Sequence, residues 1–173
     1  MRYLLFIILT ITSFAVIAQR SPVEKAISKY DWKKGVAVQD FSPGSEAWDK
    51  MMKVESEPLH EMLEQLESLK VINCDAGSAS LATCNKFYQK LSDATNNDRY
   101  SRILEVTGDD GEQVLMFMNK LDDGSLHEMV LLVDQDDGFL LVYLKGVIDM
   151  SGLNLGEIMS AFSGKSGHKD CKK

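Results

Sequence analysis

Residues 100–148 read YSRILEVTGDDGEQVLMFMNKLDDGSLHEMVLLVDQDDGFLLVYLKGVI. Three Asp-Asp-Gly triplets, at 109–111, 122–124 and 136–138, cut this stretch into runs 100–107, 113–120, 126–134 and 139–148. Each run is rich in β-branched, aromatic and long aliphatic residues. Asp-Gly between such runs is a strong hairpin signal, because glycine accepts the positive φ that a tight turn requires. Three turns in succession predict a four-stranded antiparallel meander. Strict alternation puts Leu126, Val130 and Leu132 on one side of the third strand and Met129, Leu131 and Val133 on the other. Residues 139–144 are apolar throughout. A strand wetted on one face should alternate polar and apolar positions. The sheet is therefore expected to carry helices on both faces, in preference to leaving one face as an apolar docking surface.

Upstream, the period changes. Ser21-Pro22-Val23-Glu24 is a capping box with proline at the first helical position. Val23, Ala26, Ile27 and Tyr30 follow at helical spacing, and Gly35 closes the segment. A strand is expected over 36–41, a turn over 42–45 and a short helix around Trp48, Met51 and Met52. Ser56-Glu57-Pro58 restarts the helical register. Leu59, Met62, Leu63, Leu66 and Leu69 then read as one apolar helical stripe, with Glu61, Glu64 and Glu67 outside it. Residues 71–74 suggest a brief buried strand. Leu81, Cys84, Phe87, Tyr88 and Leu91 mark another helix, and 96–98 a polar turn. A last helix is expected over 154–162, before a polar, lysine-rich tail at 163–173 that reads as disordered. This order predicts a single α+β domain over 19–162: one mainly antiparallel sheet ending in the meander, with helices packed on it.

The amino terminus bears on location. Met1 and Arg2 precede an uncharged, largely apolar run over 4–17, and Val16-Ile17-Ala18 supplies small residues for a cleavage site. Residues 1–18 read as a secretory signal peptide cleaved after Ala18. The run is short for a bilayer span, which needs about 20 apolar residues, so no stable membrane insertion is expected after cleavage. Gln19 follows the site, so the lipid-attachment cysteine of a lipoprotein is absent. The expected location is the periplasm or the exterior. With 19 basic against 26 acidic residues and a net charge of −7, the chain lacks the basic surface that nucleic-acid binding requires.

Three cysteines, Cys74, Cys84 and Cys171, cannot all pair within one chain. Cys74 and Cys84 are a possible disulfide joining a strand end to the next helix. The alternative is two small buried apolar side chains. Cys171, in the tail, is a candidate for an intermolecular bond.

No catalytic constellation emerges. His60-Glu61 begins like H-E-x-x-H, but the fifth residue is Glu64, so the second histidine ligand is missing. That pattern reads better as a His60–Glu64 contact on one helix face. His127 and Glu128 are neighbours in a strand and point to opposite faces. His168 and Cys171 lie in the tail, without the held geometry of nucleophilic catalysis. Gly164-Lys165-Ser166 lacks the earlier glycine and the strand of a phosphate loop. Asp134, Asp136 and Asp137 resemble part of a calcium loop, but Gly138 occupies a ligand position. Turns one and three share an end of the meander, so Asp109, Asp110, Asp136 and Asp137 could attract a cation weakly. Hairpin chemistry explains them without one. No catalytic, cofactor-binding or metal site is assigned, and no cofactor is expected.

Lys34-Gly35-Val36-Ala37-Val38, Leu69-Lys70-Val71-Ile72, the run from Leu126 to Val133 and the ending Gly146-Val147-Ile148-Asp149 carry a resemblance. Together with the signal peptide, they make the chain similar to the domain of unknown function 4252 family, common in Bacteroidetes. The resemblance implies an exported protein and transfers no activity or catalytic residue. Many members look like lipoproteins, a feature this chain lacks. The expected function is a non-enzymatic envelope module that binds another protein or an apolar ligand through its sheet or sheet edge. A hydrolase with an unrecognised site and a purely structural or stress-related envelope protein are the alternatives.

Overall fold

The computed structural model describes residues 20–41, 43–53, 57–108 and 111–149. The expected signal peptide, Asp109, Asp110, the helix expected over 154–162 and the segment 163–173 with His168 and Cys171 lie outside these residues. Helix α1 spans Pro22–Tyr30, α2 Glu46–Met51, α3 Glu57–Glu64 and α4 Leu81–Thr95. The strands are β1 (Val36–Phe41), β2 (Leu66–Asp75), β3 (Ser101–Thr107), β4 (Gln113–Lys120), β5 (Leu126–Gln135) and β6 (Gly138–Ile148). They form one six-stranded sheet in the order β1-β2-β6-β5-β4-β3. Every pairing is antiparallel. The meander is thus present as β3 to β6, and β2 joins its β6 edge.

Helix α1 begins where its capping box predicts. Ser21 Oγ accepts from Glu24 N–H at 3.1 Å, and Ser21 N–H donates to the Glu24 carboxylate at 3.0 Å. Helix α4 starts from Ser80, whose Oγ accepts from Thr83 N–H at 3.2 Å. Its 15 residues span about 22 Å, which suits a diagonal crossing from β2 to the far edge of the sheet. These two helices cover one face. There Val23, Ala26 and Ile27 of α1 meet Phe87 and Leu91 of α4 over Ile72, Val130, Leu132, Phe139, Leu141 and Tyr143. Phe87 stacks on Tyr30, centroids 4.6 Å apart, and meets Phe139 edge-on at 5.2 Å. The other face carries Trp48 of α2 and Met62 and Leu63 of α3, over Leu69, Met116, Met129, Leu131, Val142 and Leu144. Helices lie on both faces, which is why the central strands are apolar at both parities.

Two expectations are corrected. The stripe from Leu59 to Leu69 is not one helix: α3 ends at Glu64, and Leu66 and Leu69 belong to β2. Register shifts between Leu66 and Ser68, so a β-bulge lets residues three apart face the same side. That spacing imitates a helical repeat. Similarly, Leu126 does not join Val130 and Leu132. A register shift between Leu126 and Glu128 turns it to the Met129 side of the sheet.

The glycines of the three turns act differently. Gly111 and Gly124 sit at φ +91° and +88°, in the left-handed region that closes their loops. Gly138 is instead the first residue of β6, at φ +150°. A Cβ on it would lie 1.8 Å from the Cys74 carbonyl oxygen. Glycine is required there because β2 passes against the turn.

Candidate binding edge and the buried carboxylate behind it

Glu128 is the only acidic residue in the apolar core of β5, and it is 1 % exposed. In register it lies opposite Asn119 on β4 and Lys145 on β6, which is itself opposite Ser68 on β2. Directly opposed residues share a face, so these four make a polar row across the sheet under α1. The Tyr143 hydroxyl donates to Glu128 Oε1 at 2.7 Å, and the Tyr100 hydroxyl donates to Oε2. Asn119 Nδ2 approaches Oε2 at 3.5 Å. Lys145 Nζ lies 3.3 Å from the Glu24 carboxylate and 3.7 Å from that of Glu67.

Burial alone would push the Glu128 carboxyl up. The hydrogen bonds from Tyr100, Tyr143, Ser21 and Asn119 outweigh burial and hold it below the usual carboxylate range. Burial, and then the adjoining carboxylate, push both phenols well above their ordinary value. Glu128 is therefore an anchored anion, and its two tyrosines are donors that resist ionisation. These are properties of a structural clamp more than of an acid–base pair, whose pKa values would lie near the working pH.

Tyr100 immediately precedes β3, so the clamp pins the start of that strand. Beyond it, all seven residues of β3 are exposed. Ile103, Leu104 and Val106 keep 40 %, 37 % and 49 % of their surface open. Among the described residues the strand is outermost in the sheet and pairs only with β4. Register slips between Arg102 and Leu104, a bulge at Ile103 of the kind that blunts sheet edges. Arg102 and Glu105 pair with each other at 3.0 Å. A cleft of about 530 Å³ opens beside the strand, lined by Asn96, Tyr100, Arg102, Leu115 and Phe117 among others. The opposite edge, β1, exposes Ala37, Gln39 and Asp40 instead, with no large apolar side chain.

The residues singled out from sequence are scattered. His60 Nε2 meets Glu64 Oε1 at 3.3 Å on α3. His127 takes no part in the Glu128 network, and its buried Nδ1 has no hydrogen-bond partner among the described residues. No group of three or more metal-ligating side chains comes together among the described residues. Cys74 and Cys84 form a disulfide with Cα atoms 5.7 Å apart, joining the end of β2 to the first turn of α4. No helix among the described residues is long and apolar enough to cross a membrane. Sequence reading passed over Tyr100 and Tyr143. The available signal was a lone glutamate at the same parity as Val130 and Leu132, which had to be buried and so needed donors.

The model of the family described as a domain of unknown function, DUF4252, matches residues 45–155, and the chain belongs to that family. The match takes in α2 to β6 but not α1 or β1. No curated protein and no solved structure matches the chain.

Proposed function

We propose, from membership of a family defined only by a domain of unknown function, that this protein is an exported, non-enzymatic binding module. Its β3 edge receives an extended segment of an envelope protein as an added strand. The observation that carries the reading is the contrast between the two sheet edges. β1 presents small and polar side chains, whereas β3 presents Ile103, Leu104 and Val106. Past the Ile103 bulge, the regular stretch from Leu104 to Thr107 offers an open edge for strand addition, and the exposed side chains select the sequence. The Glu128–Tyr100 clamp supports the reading by holding that edge in place. The signal-like amino terminus and the Cys74–Cys84 disulfide support export, since such bonds persist in oxidising compartments.

The test places a photo-crosslinking residue at Leu104 in intact cells, with Gln89 on α4 as the control position. One partner captured from position 104 only, with its peptide mapped against β3, is the expected result. The pair Ile103→Lys and Val106→Lys should lower that yield about tenfold, the usual scale for losing central apolar anchors. Equal capture from both positions overturns the proposal, as does capture unaffected by the lysines. Recovery of a small apolar molecule and no polypeptide replaces a strand partner with a ligand.

A further inference from the structure

The opposite corner of the molecule carries a different surface. Trp32 follows α1 and is 71 % exposed, the most open of the large hydrophobic side chains among the described residues. Leu81, at the start of α4, is 54 % exposed. The two segments abut: a Cβ on Gly35 would lie 2.1 Å from the backbone nitrogen of Ala79, two residues before Leu81. Trp32 and Leu81 are thus exposed residues on chain segments that meet at one end of the fold. The chain around Trp32 is basic. Residues 25–34 hold Lys25, Lys29, Lys33 and Lys34 against the single acid Asp31, a local excess of positive charge in a chain of net charge −7. Lys25 and Lys29, four apart, are both exposed on α1. Lys33 Nζ sits 4.3 Å from the centre of the Trp32 ring.

An exposed tryptophan is unusual where no core needs it. Its amphipathic ring settles at the boundary between headgroups and acyl chains. Lysines near an anionic leaflet are attracted to it electrostatically. We propose that this corner docks the protein reversibly on the surface of an anionic lipid bilayer. Trp32 and Leu81 enter the interface, and Lys29, Lys33 and Lys34 contact headgroup phosphates. The acidic turn Asp136–Asp137 limits the contact. It reaches the same end of the sheet, where the Ala76 N–H donates to the Asp137 carbonyl oxygen at 2.6 Å. Repulsion there tilts the molecule onto its α1 corner and keeps the mode peripheral. This surface lies across the sheet from β3 and is independent of what β3 binds.

The test uses the protein as cells process it, purified and mixed with vesicles containing about one-third phosphatidylglycerol or with neutral phosphatidylcholine vesicles. The expected result is salt-sensitive flotation with the anionic vesicles only, with a blue shift of tryptophan emission. Trp32→Ser should abolish the shift and lower partitioning about tenfold or more, and Lys33→Glu with Lys34→Glu should do the same to partitioning. Both changes lie at exposed or partly exposed positions, and an unchanged far-UV spectrum verifies the fold. Equal binding to neutral vesicles, a Trp32→Ser protein that floats like the parent, or no binding to anionic vesicles each overturns the proposal. Retention of the protein by an acidic polypeptide without vesicle binding would assign the corner to a protein partner instead.

Discussion

Glu128 shows how one side chain organises its surroundings. Glu128→Ala removes a charged acceptor and strands two buried hydroxyl donors. The expected cost is about 3 kcal/mol, read as a lowered denaturation midpoint at unchanged m-value. Glu128→Gln keeps the volume but offers one acceptor oxygen to two tyrosines, so it should fall between parent and alanine variant. The pH dependence has a definite sign. The folded carboxyl titrates below its ordinary value of 4.5. Its stabilisation is complete above that value and is lost as the pH falls through the folded pKa. Acid unfolding of the parent should contain a component that Glu128→Gln lacks. At the alkaline end, Tyr100 and Tyr143 have raised values, so stability declines as the pH rises past the ordinary phenol value of 10.0. Phenolate absorbance should show these two tyrosines ionising only as the protein unfolds. The same scale marks where sequence reading stopped. A glutamate beside a histidine invites a catalytic reading, yet parity alone separates the two. What Glu128 does depends on tyrosines 15 and 28 residues away in the chain, a juxtaposition that no local pattern encodes.

Among the elements, β3 to β6 were legible because their turns are chemically explicit and the runs between them are rich in β-branched, aromatic and long aliphatic residues. The cap at Ser21 was equally plain, since Ser-Pro-Val-Glu before an apolar helical repeat is a capping box. β2 was not. Its bulge between Leu66 and Ser68 gives leucines a helical spacing, and only pairing with β1 and β6 decides between the two periods. Gly138 was read as a glycine needed for positive φ, which it has, but the close approach of the Cys74 carbonyl, which adds a second requirement, was not legible. Replacing Gly138 by alanine should cost far more than replacing Gly124, where a Cβ meets nothing within 4 Å and only the backbone conformation is strained. Comparing the two melting temperatures checks this. The Cys74–Cys84 bond closes a loop of sequence separation 10. Its removal by paired serines should destabilise the protein by about 3 kcal/mol, measured against the oxidised parent in urea. Phe87→Ala should cost about 4 kcal/mol, because it vacates the ring that joins Tyr30 to Phe139.

At the scale of the whole molecule, the sheet separates its two proposed surfaces. β1 and β3 are five strand spacings apart, about 24 Å. A protein resting on a bilayer by its Trp32 corner would hold β3 away from the lipid, open to a partner. The candidate site was only partly visible from sequence. That a sheet edge would bind could be argued from strand count and apolarity, but which edge depends on the strand order, and that order is a long-range property.

The disulfide has a further consequence. Its reinforcement falls on β2 and α4 at one end of the molecule, while β3 is held by β4 and the Tyr100 clamp. Resistance to opening is therefore unequal across the sheet. Amide hydrogens of β3 should exchange with solvent through small, frequent fraying events, and those of β2 and β6 only through global unfolding. Reduction should narrow that difference by accelerating β2, leaving β3 as it was. On the proposed reading, an incoming strand would therefore meet the most readily frayed element of the sheet, while the stapled half keeps the rest of the fold intact.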